Sequence, residues 1–561
     1  MLAKDSLVKG TLILTLAALV ARALGVVQRI PLVFLLGEIG MAAYGIAFNL
    51  YSMLLVVATA GIPSALSKMI SERTALGLHA EASRIYKAAL LFAAGAGVVM
   101  TLFLYIVAPY YADSIINPQA TLPIRALAPA LLLFPLIAIM RGYFQGRRMM
   151  MPNGLSQIIE QIFRVVTSVV LAYALLGHSM EWAVAGASFG GVIGSVAAAA
   201  VMAYYALKLR RSDRAELASG AASAADNGRE GASHSTLPFK KIYGQLFQIS
   251  IPIVIFSMTV TLIYTIDSSI VTLLLKDQVG EESAREILGI LVGRAQSLAG
   301  IPIILAVALS QSVVPIISSA YSQKDMQQVS DQTGKVLQLS ILSGLPMVLL
   351  ICLAAGPINS FIFGNPKGSA IVDAYAAPII IVLTVSAIFQ IVMQTSGAVL
   401  MGMGKMRALV LHVVAGIAAK LIASFALAPW LGIYGIIAAT CLCFIVMTWL
   451  NLRVLRLEVS FRVLSRRRWL GLTATTVVIV IVGAALDALA QAYATPFGAA
   501  RWDAFLQTVI VCAVVGAAYP LLLFATRTVG LSDSRHMPRP LQRIIGKVAP
   551  RLLKGKETGN D

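Results

Sequence analysis

The sequence predicts an all-α polytopic membrane protein with about 14 transmembrane helices, arranged as two parallel six-helix lobes plus a C-terminal helix pair. Three observations predict it. Of the 561 residues, 58% are hydrophobic and only 12% charged, whereas a soluble chain carries about 25% charged residues. Apolar runs near the ~20 residues that cross a bilayer as a helix recur from end to end. Lys and Arg fall almost entirely in alternate loops, the asymmetry of a multi-pass protein.

The expected spans are 11–36, 43–69, 87–108, 122–144, 155–176, 182–207, 244–274, 288–320, 336–355, 374–400, 409–429, 432–452, 469–491 and 504–526. The first is longer than a signal-peptide core and lacks a small-residue cleavage site, so it reads as retained. Only "WLG" separates the eleventh from the twelfth, a tight turn. Arg73, Arg84, Lys87, Arg147, Arg148, Lys208, Arg210, Arg211, Lys405, Arg407, Arg453, Arg456 and Arg466–Arg468 fall on one side. The other side holds Lys276, Arg285, Lys367 and Arg501 among acids that include Glu38, Asp113 and Asp277. By the positive-inside rule both termini are cytoplasmic.

Segment 211–237 is polar, small and low in complexity, a flexible cytoplasmic linker. The chain then divides into an N-terminal lobe (1–210), the linker (211–243), a C-terminal lobe (244–455), an additional helix pair (456–526) and a basic tail (527–561). The tail suits anionic membrane lipids. The net charge of +19 lies between spans without interleaved aromatics, so nucleic acid is not the expected partner.

A repeat crosses the linker. The stretch 43–72 echoes 293–323, with Pro63 opposite Pro315, and 143–175 echoes 398–430, with Gly146 opposite Gly402 and Arg164 opposite Lys420. Six spans per half make the repeats parallel, a transporter architecture with substrate between the halves.

Charges inside spans are the candidate site residues, because an isolated one costs at least ~2.5–3.5 kcal/mol at mid-bilayer. Arg22 and Arg29 lie two turns apart on one helix face, with Gly25 between them and Pro31 beyond as a hinge. Together with Arg294 they are expected to line a cationic cavity; guanidinium forks match a diphosphate. For Arg29 and Arg294 the alternative is snorkelling from the span ends. Glu160 and Arg164 are an i,i+4 pair in the favourable order, either bracing the lobe or lining the cavity. Asp267 is either a cation or proton site or a packing residue, and Lys420 either faces the cavity or braces its lobe.

No phosphate loop is present: "GMGKM" at 402–406 has the wrong spacing. The four cysteines and five histidines form no metal or nucleophile pattern. No catalytic residue, metal or cofactor is expected.

The segments "KGTLILTLAALVARALGVVQRIPL", "GIPSALSKMISE", "RGYFQGRRMMMPNGLSQIIEQIFR" and "GIPIILAVALSQSVVPIISSAYS" together resemble the SpoVB/YtgP-type polysaccharide transporters. These are members of the multidrug/oligosaccharidyl-lipid/polysaccharide exporter superfamily, related to MurJ-type lipid II flippases. The resemblance implies a V-shaped central cavity and alternating access that flips an undecaprenyl-diphosphate-linked sugar to the outer leaflet. It also implies a bacterial cell membrane, a groove at the last helix pair for the lipid tail, and partnership with cell-wall synthesis enzymes. MurJ-type proteins carry R-x-L-G-x-x-R in the first helix; here Arg22 and Gly25 match, but the second arginine falls one residue later, with Gln28 in its place. The competing expectations are a cation-coupled multidrug exporter, which needs acidic lobes, and a non-transporting scaffold.

Overall fold

The computed structural model describes residues 7–224, 238–526 and 528, apart from positions 60, 76, 77, 148, 366, 367, 495 and 497–499. Among these it is all helix, with 17 α-helices. The first, α1 (Leu7–Thr59), has one non-helical residue, Gly37, with φ 65°. A straight helix of 53 residues would span about 80 Å. The chain instead folds back at Gly37, which brings Gln28 Nε2 to 3.3 Å from the Tyr44 hydroxyl. A left-handed φ there suits glycine, which has no Cβ to clash. Thus α1 is a hairpin of two spans, which sequence boundaries 36 and 43 bracket.

After it come α2 (Ile62–Ala75), α3 (His79–Ser114) and a broken span, α4 (Thr121–Leu127) with α5 (Ala130–Gly146), bent by 41°. Next follow α6 (Met151–Leu175), α7 (Met180–Ala224) and α8 (Phe239–Val279). A short α9 (Glu281–Gly289) runs through a π-helical stretch, Ile290–Ala295, into α10 (Gln296–Ser322). The rest comprises α11 (Met326–Leu353), α12 (Ala355–Ile362), α13 (Ala370–Gly402), α14 (Met406–Leu431), α15 (Ile433–Glu458), α16 (Arg466–Tyr493) and α17 (Ala500–Ala525). Twelve helices are long and apolar enough to cross a membrane, or 13 with the broken pair. Counting the α1 arms separately brings the number to the expected 14. The "WLG" turn is where expected, made by Gly432 at φ 57° between α14 and α15.

Both ends of the expected linker are helical: α7 continues to Ala224 and α8 begins at Phe239. Residues 225–237 and the basic tail, except Thr528, lie outside the described residues.

Helices α1 to α7 pack on one another, as do α10, α11 and α13 to α15; α8 and α9 sit at the seam and touch both groups. The pair α16 and α17 leans on α11 and α12. The repeat is visible in the packing. Gly146 ends α5 against the Ser67 carbonyl and Ile70 of α2, and Gly402 ends α13 against the Val314 carbonyl and Ile317 of α10. A Cβ at either would come within 3.0 Å of those atoms. One end of the bundle holds the turns at Gly37, Gly280 and Gly432 and is called the hairpin end; the other holds Arg147, Lys405 and Arg466–Arg468 and is called the basic end. Exposed Tyr110, Tyr173, Trp430 and Trp502 circle the first, Tyr204, Trp449 and Trp469 the second, the placement of interfacial aromatic belts.

Candidate functional site

The seam between the two groups of helices is sealed toward the hairpin end. Glu38, the residue after the α1 turn, receives two hydrogen bonds from Arg294, from Nε at 2.9 Å and from Nη2 at 2.6 Å. Arg294 Nη1 donates to Asn359 Oδ1 at 3.0 Å and to the Gly364 carbonyl at 2.6 Å. Its guanidinium lies 5.6 Å from the Phe363 ring centroid. Two glycines permit this closeness. A Cβ at Gly289 would sit 1.9 Å from the Glu38 carbonyl oxygen, and one at Gly45 would sit 2.1 Å from Val292 Cγ1. The π-helical turn carries Arg294 into this contact.

One layer further in, Arg29 on the first α1 arm donates to the Val292 carbonyl and lies 3.4 Å from Ser297 Oγ. Its guanidinium stacks 5.9 Å from the Phe48 ring centroid. Asn49 donates to Ser268 Oγ at 2.7 Å, Tyr111 and Ser269 share a hydrogen bond of 2.7 Å, and Asn117 donates to Thr272 at 3.0 Å. These contacts join α1, α3 and the connection after α3 to α8.

Arg22 shares the Arg29 face of α1 but lies about 10 Å nearer the basic end. There its side chain is exposed, and among the described residues no hydrogen bond or ion pair reaches it. Arg22 alone among the three expected cavity arginines presents an open guanidinium in this state. Arg29 is half-buried and engaged. Arg294, expected either to line the cavity or to snorkel, is 1% exposed here, because Glu38 holds it inside the seal. Gly25 and Pro31 lie in continuous helix; the break in α1 is at Gly37.

The remaining intramembrane charges pair with one another. Glu160 takes Arg164 Nη2 at 2.9 Å and Arg141 Nη2 at 3.0 Å, so α5 and α6 are braced and neither charge opens to the seam. Lys420, 0% exposed, pairs with Asp267 and donates to Thr440 Oγ1 at 2.7 Å. Asp267 is therefore occupied by an ammonium rather than available as a cation or proton site in this state. Outside the spans, its hydrogen bond to Glu458 at 2.6 Å pushes the pKa of the Lys405 ammonium up.

At the basic end an apolar cavity of 660 Å³ opens between α11, α13, α15 and α16, lined by Ile341, Phe389, Leu452, Trp469 and Val477 with Arg456 and Arg462 among its walls.

The family model for polysaccharide biosynthesis proteins matches residues 7–321, more than half the chain. The protein belongs to the polysaccharide biosynthesis protein family. A MatE model matches residues 252–426 as well. The chain is 26% identical over 496 residues to the lipid II flippase MurJ of Bacillus subtilis (strain 168), covering 85% of this chain and 88% of that one. It is 27% identical over 405 residues to stage V sporulation protein B of the same organism, covering 71% and 75%. Among solved structures, a lipid II flippase MurJ in an inward closed conformation superposes with TM-score 0.63 at 14% identity, covering 91% of this chain and 100% of that one. An inward-facing MATE multidrug transporter gives 0.62 at 14% identity, covering 79% and 95%. At such identity these structures report the fold.

Two residues of the seam and lobe charge groups escaped the sequence reading. Glu38 reads there as a loop acid, although its setting in "LLGEIG", with glycines on either side, is the signal for a buried turn. Arg141 falls near the end of the expected span 122–144 and no local pattern marks it; its partner Glu160 is 19 residues away, on the next helix.

Proposed function

We propose that this protein is a flippase that carries an undecaprenyl-diphosphate-linked sugar precursor of the cell envelope from the inner to the outer leaflet. The single observation that carries this reading is Arg22, open and unpartnered on the helix face whose other arginine bridges the lobes. With both termini cytoplasmic, as the loop charges favour, the basic end faces inward and the seal lies outward. Arg22 then meets the diphosphate of a lipid entering from the cytoplasmic leaflet, where a planar guanidinium donates two hydrogen bonds at once.

Outward opening requires Arg29 and Arg294 to leave Val292 and Glu38. A buried guanidinium without a partner is costly, so a diphosphate arriving from Arg22 compensates for the broken seal and links opening to occupancy. Gly25 and Pro31 supply the flexible segment of α1 for this movement. A membrane potential negative inside favours outward passage by ~2.3 kcal/mol per charge per 100 mV. The apolar cavity beside α16 accepts the polyprenyl chain, with Arg456 and Arg462 near the headgroup. The basic tail contacts anionic lipids, and cell-wall synthesis enzymes are the expected downstream partners. The multidrug-exporter reading needs free acids in the lobes; Glu38, Glu160 and Asp267 are each held by Arg or Lys.

The test is headgroup access in proteoliposomes containing undecaprenyl-diphosphate-linked sugar. Arg22→Ala, properly folded, is expected to lower transbilayer movement about 10–100-fold, the loss of one charge-assisted hydrogen-bonding group. Movement unchanged by the substitution, or absent for wild type with every lipid-linked donor, rejects the proposal.

A further inference from the structure

A small cavity in the N-terminal lobe plays no part in the transport cycle described above. Tyr44, Phe48 and Tyr51 from the second α1 arm line it, with Leu127 of α4, Arg164 of α6, and Ser188 and Gly191 of α7. Its volume, 10 Å³, is room for about one water-sized particle. Three of these side chains carry a buried polar atom with no hydrogen-bond partner: Arg164 Nε, Tyr51 Oη and Ser188 Oγ. The residues are 9%, 1% and 2% exposed. A fourth group has a proton to give, since the Tyr44 oxygen accepts from Gln28 and its own O–H remains to donate.

Buried polar groups are paired in nearly all folded proteins, so three orphans around one void indicate a missing occupant. Its sign follows from the surroundings. Arg141 and Arg164 share the single carboxylate of Glu160, which leaves one positive charge in excess, and no acid lines the cavity. A neutral water would leave that charge uncompensated, whereas the Arg164 Nε–H and the three hydroxyls can all turn a proton toward an anion.

We propose that this cavity binds a small monovalent anion of the halide class, with chloride the abundant example, held by Arg164, Tyr51, Ser188 and Tyr44. The ion neutralises the surplus guanidinium and ties the α1 hairpin to α6 and α7. Because the other hairpin arm carries Arg22 and Arg29, the anion steadies the element that presents the seam arginines. This inference concerns the lobe interior and stands apart from which lipid is carried.

The experiment is thermal unfolding of the purified full chain in detergent, replacing gluconate by chloride or bromide at constant sodium and ionic strength. A saturable rise in Tm with either halide is expected. The rise should vanish in the double variant Tyr51→Phe/Ser188→Ala, which removes two donors that make no hydrogen bond in this structure and so spares the fold. It should persist in Arg22→Ala, and crystals soaked in bromide should show anomalous density between Arg164 and Tyr51. A Tm indifferent to the anion, a rise retained in the double variant, or a rise lost only in Arg22→Ala would overturn the proposal. Bromide-free density of a water in the cavity would overturn it too.

Discussion

Helices α6 and α14 hold corresponding places in the two lobes, Arg164 opposite Lys420, yet they neutralise a buried cation in different ways. In the N-terminal lobe the acid comes from the same helix, Glu160 four residues before Arg164, and is shared with Arg141 of α5. In the C-terminal lobe it comes from α8, 153 residues away in sequence, and Thr440 of α15 completes the group. The first arrangement is local and carries a surplus positive charge. The second is balanced and ties three helices together, one of them at the seam. A local pair keeps its partner when helices slide; a pair spanning helices holds them fixed. The contrast assigns the C-terminal group to rigidity and leaves the N-terminal group able to take an anion.

The largest effect is expected at the balanced group. Lys420→Met strands Asp267 where it is only 4% exposed and should cost about 3–5 kcal/mol in unfolding free energy, whereas Asp267→Asn/Lys420→Met should recover most of that loss. Equal losses for the single and double variants would break the contrast. In the other lobe Glu160→Gln should cost less, about 1.5–3 kcal/mol, and should enlarge the halide-dependent rise in Tm because both guanidiniums then lack their acid.

The shared architecture predicts equality at the helix ends. Gly146→Ala and Gly402→Ala each force a Cβ against a neighbouring helix and should each destabilise by about 1–3 kcal/mol; a marked inequality in unfolding measurements would show that the repeat is not mechanically symmetric. The smallest effect concerns ions. With Glu38, Glu160 and Asp267 all paired to cationic side chains, exchanging sodium for potassium should leave flipping in proteoliposomes unchanged. A strict sodium requirement would mean that one of these pairs opens during the cycle.

What the sequence determined by itself is what depends on neighbours a few residues away. Apolar length set the spans, loop charge set their alternation, and the four-residue spacing of Glu160 and Arg164 announced their ion pair. The two-turn spacing of Arg22 and Arg29 likewise put them on one face. Tertiary structure alone decided which distant charges meet. Glu38 and Arg294 are 256 residues apart, and Asp267 and Lys420 sit on helices whose relative rotation no local pattern encodes. The physical reason is that hydropathy and helix period are properties of a single helix in a lipid solvent. The partner of a buried charge depends on how helices approach one another, and that is set by close-packing at sites such as Gly45 against Val292 and Gly289 against Glu38.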